Sequence, residues 1–326
     1  MAKNETGIYL NHYATVVGPL EKKSHLEKLE LCMDDYYFGE NSFEQAEIKM
    51  QKTALNQLLA KAKLKSEDLS LLISGDLSDQ IGVSSIAAVA SQIPFLGVYN
   101  ACATFVESLI LACMYLKNHS KNKVICMTSS HNLHAEKQFR FPIEYGAPKK
   151  KTSTFTTTGA VATLISKEKS CFKLGNYTIG KAIDMGLNDT SNMGAIMAPA
   201  AAQTIYRHLQ DNKMSPKDYD IILTGDLGEV GSKLLKEYFK ITYQIDLKNH
   251  VDAGSEIYLE KDKEKVLSGG SGPSALPIYL FHKVLKNKKN KKILLVATGS
   301  LHNPLFVNQK QTIPAIAHAI ELEVIS

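Results

Sequence analysis

Cys102 stands in the phrase Asn100-Ala101-Cys102-Ala103-Thr104, after the apolar run at residues 95–99 and ahead of a long helical pattern. That spacing predicts a thiol at the first turn of a helix, where backbone N–H groups and the helix dipole stabilise a thiolate and make a nucleophile. Cys113 and Cys126 fall inside apolar helix and strand runs and read as core. His302, in Thr298-Gly299-Ser300-Leu301-His302-Asn303-Pro304, is placed to donate to a carboxylate or to act as a base for Cys102. His131 follows the corresponding strand of the first half. Gly269, Gly270, Ser271 and Gly272 form a turn whose missing side chains let backbone approach a ligand. Asp76 and Asp226 occupy a duplicated turn, where carboxylates brace loops and cap helices.

The elements that hold these residues come in two copies. Leu71-Leu72-Ile73-Ser74-Gly75-Asp76-Leu77 returns as Ile221-Ile222-Leu223-Thr224-Gly225-Asp226-Leu227, and a second register pairs residues 123–130 with 292–300. In the first half the spacing predicts a helix from the capping box at Ser42 to about residue 64. A strand at 71–74, a helix over 81–93, a strand at 95–99, the helix opened by residues 100–104 and a strand at 124–128 follow. The second half repeats this order: a helix through Ala202 and Leu209, a strand at 221–224, a helix through Val230 and Leu235, and the turn at 269–274. A helix through Tyr279 and a strand at 293–298 complete it. Such alternation predicts a layered α/β protein with mixed, mainly parallel sheets, divided into halves 1–168 and 169–326. Residues 129–153, which hold His131, His134, Arg140, Phe141, Pro142 and Tyr145, find no counterpart and are expected to form an interface or a lid.

Composition narrows the function. A net charge of +5, with lysine clusters at 149–151 and 286–292, comes with no nucleic-acid-binding module, so no nucleic acid partner is expected. Five cysteines without metal-ligand spacing predict no structural disulfide or zinc and a reducing compartment. The first 18 residues are too often interrupted by polar groups for a signal sequence, and no run of about 18 apolar residues crosses a bilayer.

The Cys102 phrase, the duplication and the terminal Gly-Ser loop resemble the thiolase superfamily, nearest its ketoacyl synthase III branch. The resemblance spans almost the whole chain. It implies a five-layered αβαβα stack, a homodimer and a cysteine that attacks acyl thioesters. That branch also carries a histidine in a His-Gln-Ala-Asn motif and an asparagine in a Gly-Asn-Thr/Ser turn. This chain has Thr224-Gly225-Asp226-Leu227-Gly228 and Gly269-Gly270-Ser271-Gly272-Pro273 at those places, so condensation should be very slow.

Ser129-Ser130-His131, the stretch from Ala135 to Gly146 and the ending Ile313-Pro314-Ala315-Ile316-Ala317-His318-Ala319 resemble the stage V sporulation protein AD family. That resemblance implies a subunit binding dipicolinic acid, or calcium dipicolinate, within a sporulation membrane complex. Such a subunit acts in uptake during sporulation and release in germination. It needs no cofactor, though calcium can travel with the ligand, and its soluble chain reaches the spore inner membrane through partner subunits. The expected ligand set is Cys102, His131, Asp226, Gly270, Ser271, Gly272 and His302, with no metal site. The alternative is an active synthase III-like acyltransferase in which Cys102 is the nucleophile and His302 replaces the missing histidine.

Overall fold

The structure, a computed structural model, describes residues 7–119, 121–139, 148–287, 289 and 291–325. Arg140, Phe141, Pro142 and Tyr145 of the insertion lie outside the described residues. In chain order the strands are β1 Ile8–Val17, β2 Leu31–Cys32, β3 Leu71–Gly75, β4 Phe95–Gly97, β5 Val124–Ser130, β6 Phe155–Thr156 and β7 Gly159–Ser166. They continue as β8 Phe172–Ile179, β9 Ile221–Thr224, β10 His250–Asp252, β11 Gly270–Ser271, β12 Lys292–Ser300 and β13 Ala315–Val324. The helices are α1 Phe43–Ala62, α2 Gly82–Ser91, α3 Thr104–Asn118, α4 Asn132–Phe139 and α5 Met193–Asn212. After them come α6 Gly228–Tyr243, α7 Ala253–Glu256, α8 Lys263–Val266, α9 Ala275–His282 and α10 Pro304–Asn308.

Strand order exposes the duplication directly. The run β4-β3-β5-β7-β1 has the same order as β10-β9-β12-β13-β8, and the two runs join where Ile8, Tyr9 and Leu10 pair with Leu174, Lys173 and Phe172. In each run three parallel strands are continued by two antiparallel ones, so the sheet is mixed. The sequence reading found the parallel strands β3, β4, β5, β9 and β12, and left out the parallel β10 and the antiparallel β1, β7, β8 and β13. β7 is buried along its whole length and β13 along most of it, so neither shows the polar alternation of a half-exposed strand.

Three apolar clusters separate the layers. α1 and α2 cover one outer face through Met50, Leu55, Leu58 and Ala87. α5 and α6 cover the other through Ile205, Leu209, Leu235 and Phe239. α3 and α9 fill the space between the two halves of the sheet, α3 bringing Phe105 and Leu109 against β5, β12 and β13, and α9 bringing Ile278 against β7 and Phe281 against Tyr13 of β1. The result is an αβαβα stack. Local sequence explains the matching outer helices: Ser42 and Asn192 both cap N-termini through their side chains, and Lys63 and Lys213 both end helices in the left-handed region. The segment after β5 has a short counterpart after all, since α10 follows β12 where α4 follows β5.

Candidate functional site

Cys102 lies in the turn before α3, two residues short of its first helical residue, and not in the first turn as its spacing suggested. Ala101 turns the chain there with φ of 51°. The expected thiolate does not arise: burial and the neighbouring Asp226 push the Cys102 thiol well above its usual range, outweighing a backbone hydrogen bond from Gly272. No hydrogen bond joins Cys102 to a histidine among the described residues, and His302 stacks instead on Phe139, with ring centroids 5.0 Å apart. The pairing of His302 with Cys102 as a base is therefore not formed. Alkylation of Cys102 by iodoacetamide, followed by peptide mass spectrometry, should be slow at neutral pH and still rising beyond about pH 9. A fast rate already level at about pH 7 would reveal the thiolate that this environment opposes.

Glycines in both stretches that stand where a synthase keeps its histidine and asparagine motifs are closed to side chains. A Cβ on Gly225 would lie 2.5 Å from Leu276 Cβ, and one on Gly270 would lie 2.8 Å from Thr157 Oγ1 and 2.9 Å from the Tyr258 ring. Tyr258 is fixed in turn by its hydroxyl, which donates to Glu21 Oε1 at 2.6 Å. Gly272, with φ of 107°, passes Ser130 so closely that a Cβ there would meet its Oγ at 2.7 Å. The glycines thus serve close packing of α9 and β11 rather than an open loop.

A separate cleft of about 120 Å³ opens where the parallel strands end. His302 and Ser271 line it, together with Phe139 of α4, Thr154 and Thr156 around β6, and Thr190, Ser191 and Met193 at the start of α5. The first turn of α5 points orphan N–H groups and the positive end of the helix dipole toward this space. Glu136, the carboxylate on its wall, is paired with Lys149 at 2.7 Å. His302 is only 7% exposed, yet its Nδ1 has no hydrogen-bond partner. Burial holds its pKa below the ordinary imidazole value, so the free site keeps it neutral. A buried polar atom without a partner facing a cleft marks a place for something polar to bind.

The other expected residues separate from this cleft. His131 is buried between Tyr36 and Phe43, with Nε2 2.8 Å from the Tyr36 carbonyl oxygen. It does not line the cleft. Asp76 braces its own half by accepting from the backbone N–H groups of Ser78 and Ser84. Asp226 is wholly buried near Cys102, and the work of capping α6 falls to Asp252, which accepts from Leu227 and Gly228 N–H at 3.1 and 2.9 Å. Phe139, Thr190, Ser191 and Met193 escaped the sequence reading, although Asn192 repeats the N-cap of Ser42 and could have located the start of α5.

A family model described as stage V sporulation protein AD matches residues 2–323. Stage V sporulation protein AD of Bacillus subtilis (strain 168) is 38% identical over 324 residues, covering 98% of this chain and 95% of that one. The chain belongs to the stage V sporulation protein AD family. This membership places its role in sporulation. Among solved structures, OleA of Xanthomonas campestris with cerulenin aligns with a TM-score of 0.63 at 13% identity, over 97% of this chain and 96% of that one. Human mitochondrial 3-ketoacyl-CoA thiolase in complex with CoA gives 0.58 at 11% identity, with 99% of both chains covered. The 3-oxoacyl-[acyl-carrier-protein] synthase III of Aquifex aeolicus VF5 gives 0.56 at 12%, over 98% of this chain and 99% of that one. These likenesses establish the thiolase-like fold.

Proposed function

We propose that this chain is a dipicolinate-binding subunit of a sporulation membrane complex, acting in uptake and release of the ligand and built on a thiolase scaffold that no longer condenses acyl groups. The observation that carries this reading is the unpartnered, buried His302 Nδ1 in a cleft shaped by the Phe139 ring, hydroxyl groups and the α5 N-terminus. A flat aromatic dicarboxylate asks for these features: an aromatic wall for its ring, and N–H and O–H donors for its charges. Calcium, where it accompanies the ligand, enters on the ligand's own carboxylates and ring nitrogen. Among the described residues no cluster of histidine, cysteine and carboxylate side chains is arranged to hold a metal by itself.

Against the acyltransferase reading stand the protonated Cys102 thiol and the closed positions at Gly225 and Gly270. Incubation with acyl and malonyl thioesters tests the choice. The expected outcome is no condensation above the blank, and steady turnover at ordinary enzyme rates would overturn the reading.

No described helix is long and apolar enough to cross a membrane, so contact with the spore inner membrane runs through partner subunits in this account. The edge strand β4 leaves Phe95 and Leu96 exposed beside Ile86, Val89 and Tyr99, an apolar patch on an unpaired edge. A second copy pairing there would cover it and make the homodimer.

A further inference from the structure

The charge of this chain is unevenly placed, and the strand register says where the excess lies. Leu71, Val124 and Ile165 lie side by side at one end of the sheet in the first half, as do Ile221, Ile293 and Leu322 in the second. The pairing of Leu10 with Phe172 joins the two rows. The parallel strands start at this end, whereas Cys102 and the cleft lie beyond their other ends. Residues 61–70, 119–123, 167–171, 213–220, 244–249 and 286–291 are the connections that reach it. Lysine is their commonest residue, and its excess over carboxylates within them is larger than the chain's whole net charge of +5. The rest of the molecule is therefore acidic on balance.

Few of these lysines are committed within the chain. Lys123 pairs with Glu168 at 2.6 Å, and Lys292 with Glu321 at 3.7 Å. Lys65, Lys121, Lys169, Lys217, Lys248 and Lys291 are exposed and hold no carboxylate within ion-pair distance among the described residues. The carboxylates between them turn to the backbone instead. Asp68 accepts from Lys65 N–H at 2.7 Å, Asp218 from Ser215 N–H at 2.6 Å, and Asp220 from Lys291 and Lys292 N–H at 2.7 and 2.8 Å. Those bonds fix the turns and leave the ammonium groups unpaired, a concentration of one sign of charge that draws polyanions.

We propose that this face rests on a bilayer carrying acidic phospholipid headgroups, which adds an electrostatic contact to the one made through partner subunits. A plane of charge suits it better than an acidic protein segment does. The six free lysines come from six separate connections, and Lys65 precedes β3 while Lys248 precedes β10, near opposite ends of the strand order. No single extended segment meets them all, whereas a layer of headgroups does. Each lysine close to an acidic bilayer adds about fivefold to partitioning, from about 1 kcal/mol. In this orientation the cleft at His302 stays open to the aqueous side. The inference holds whatever ligand the cleft takes.

Co-sedimentation of the full chain with lipid vesicles tests this, using phosphatidylcholine alone and with about 30% phosphatidylglycerol. The parent should bind the acidic vesicles at least about tenfold more tightly than the neutral ones, and lose that binding between about 0.1 M and about 1 M salt, as the Debye length falls from about 10 Å to about 3 Å. The variant K121Q/K169Q/K217Q/K248Q should bind acidic vesicles at least about tenfold more weakly than the parent. A control that removes the same charge from the cleft end, K151Q/K181Q/K261Q/K310Q, should stay within about threefold of it. Thermal melts check that each variant is folded, and the pair K121Q/K217Q serves should the quadruple one unfold. No binding of the parent to acidic vesicles, or equal loss in the two variants, overturns the proposal. Capture of the parent by polyglutamate but not by acidic vesicles assigns the face to an acidic protein partner and overturns it too.

Discussion

Replacing Gly225 with histidine, within the stretch that stands where a synthase keeps its histidine motif, should lower stability by about 3 kcal/mol or more and confer no condensing activity. The reason is steric. Any Cβ at this position lies 2.5 Å from Leu276 Cβ, and Leu276 sits in the first turns of α9 with 1% of its surface exposed, so it cannot swing aside. A smaller probe, Gly225→Ala, meets the same contact and should be destabilised in the same direction. Chemical denaturation with an unchanged slope measures both. A Gly225→His variant as stable as the parent would show that the helix can give way. The absence of a side chain at Gly225 is thus tied to the packing of Leu276 of α9 over the end of β9.

Substitution of His302 by alanine should weaken dipicolinate binding by about tenfold or more, because a hydrogen bond to a charged group is worth about 1.5–3 kcal/mol. The parent should also show a pH dependence of defined sign. In the free chain burial depresses the His302 pKa, and a bound dianion raises it, so binding takes up a proton. Affinity should therefore be highest at about pH 6 and fall toward about pH 8 as the imidazolium of the complex is lost. In the alanine variant that part of the slope should vanish. Equal slopes in parent and variant would remove His302 from the site.

Much of the fold is legible in the sequence because its signals are local. The repeated Gly-Asp-Leu turns, the Ser42 cap and the helical spacing of Ala46, Met50, Ala54 and Leu58 are each read within a few residues, and all appear in the structure. The antiparallel strands were not legible, because β7 and β13 are buried too fully to alternate. The site divides in the same way. Cys102, Asp226, Ser271 and His302 advertise themselves by residue type, but which of them share a space depends on contacts between distant elements. Ser271 meets His302 in the cleft only because β11 pairs with β6, and Phe139 completes it from α4. The turn expected to activate Cys102 also half-buries it beside Asp226, and desolvation together with that carboxyl outweighs the backbone N–H groups.

Calorimetric titration of the parent chain with dipicolinate, run with and without calcium, tests the central claim most directly. The account predicts saturable binding to one site per chain that His302→Ala weakens about tenfold or more. Heats no larger than dilution at ligand concentrations up to about 1 mM, where an affinity of only about 4 kcal/mol would register, would contradict it.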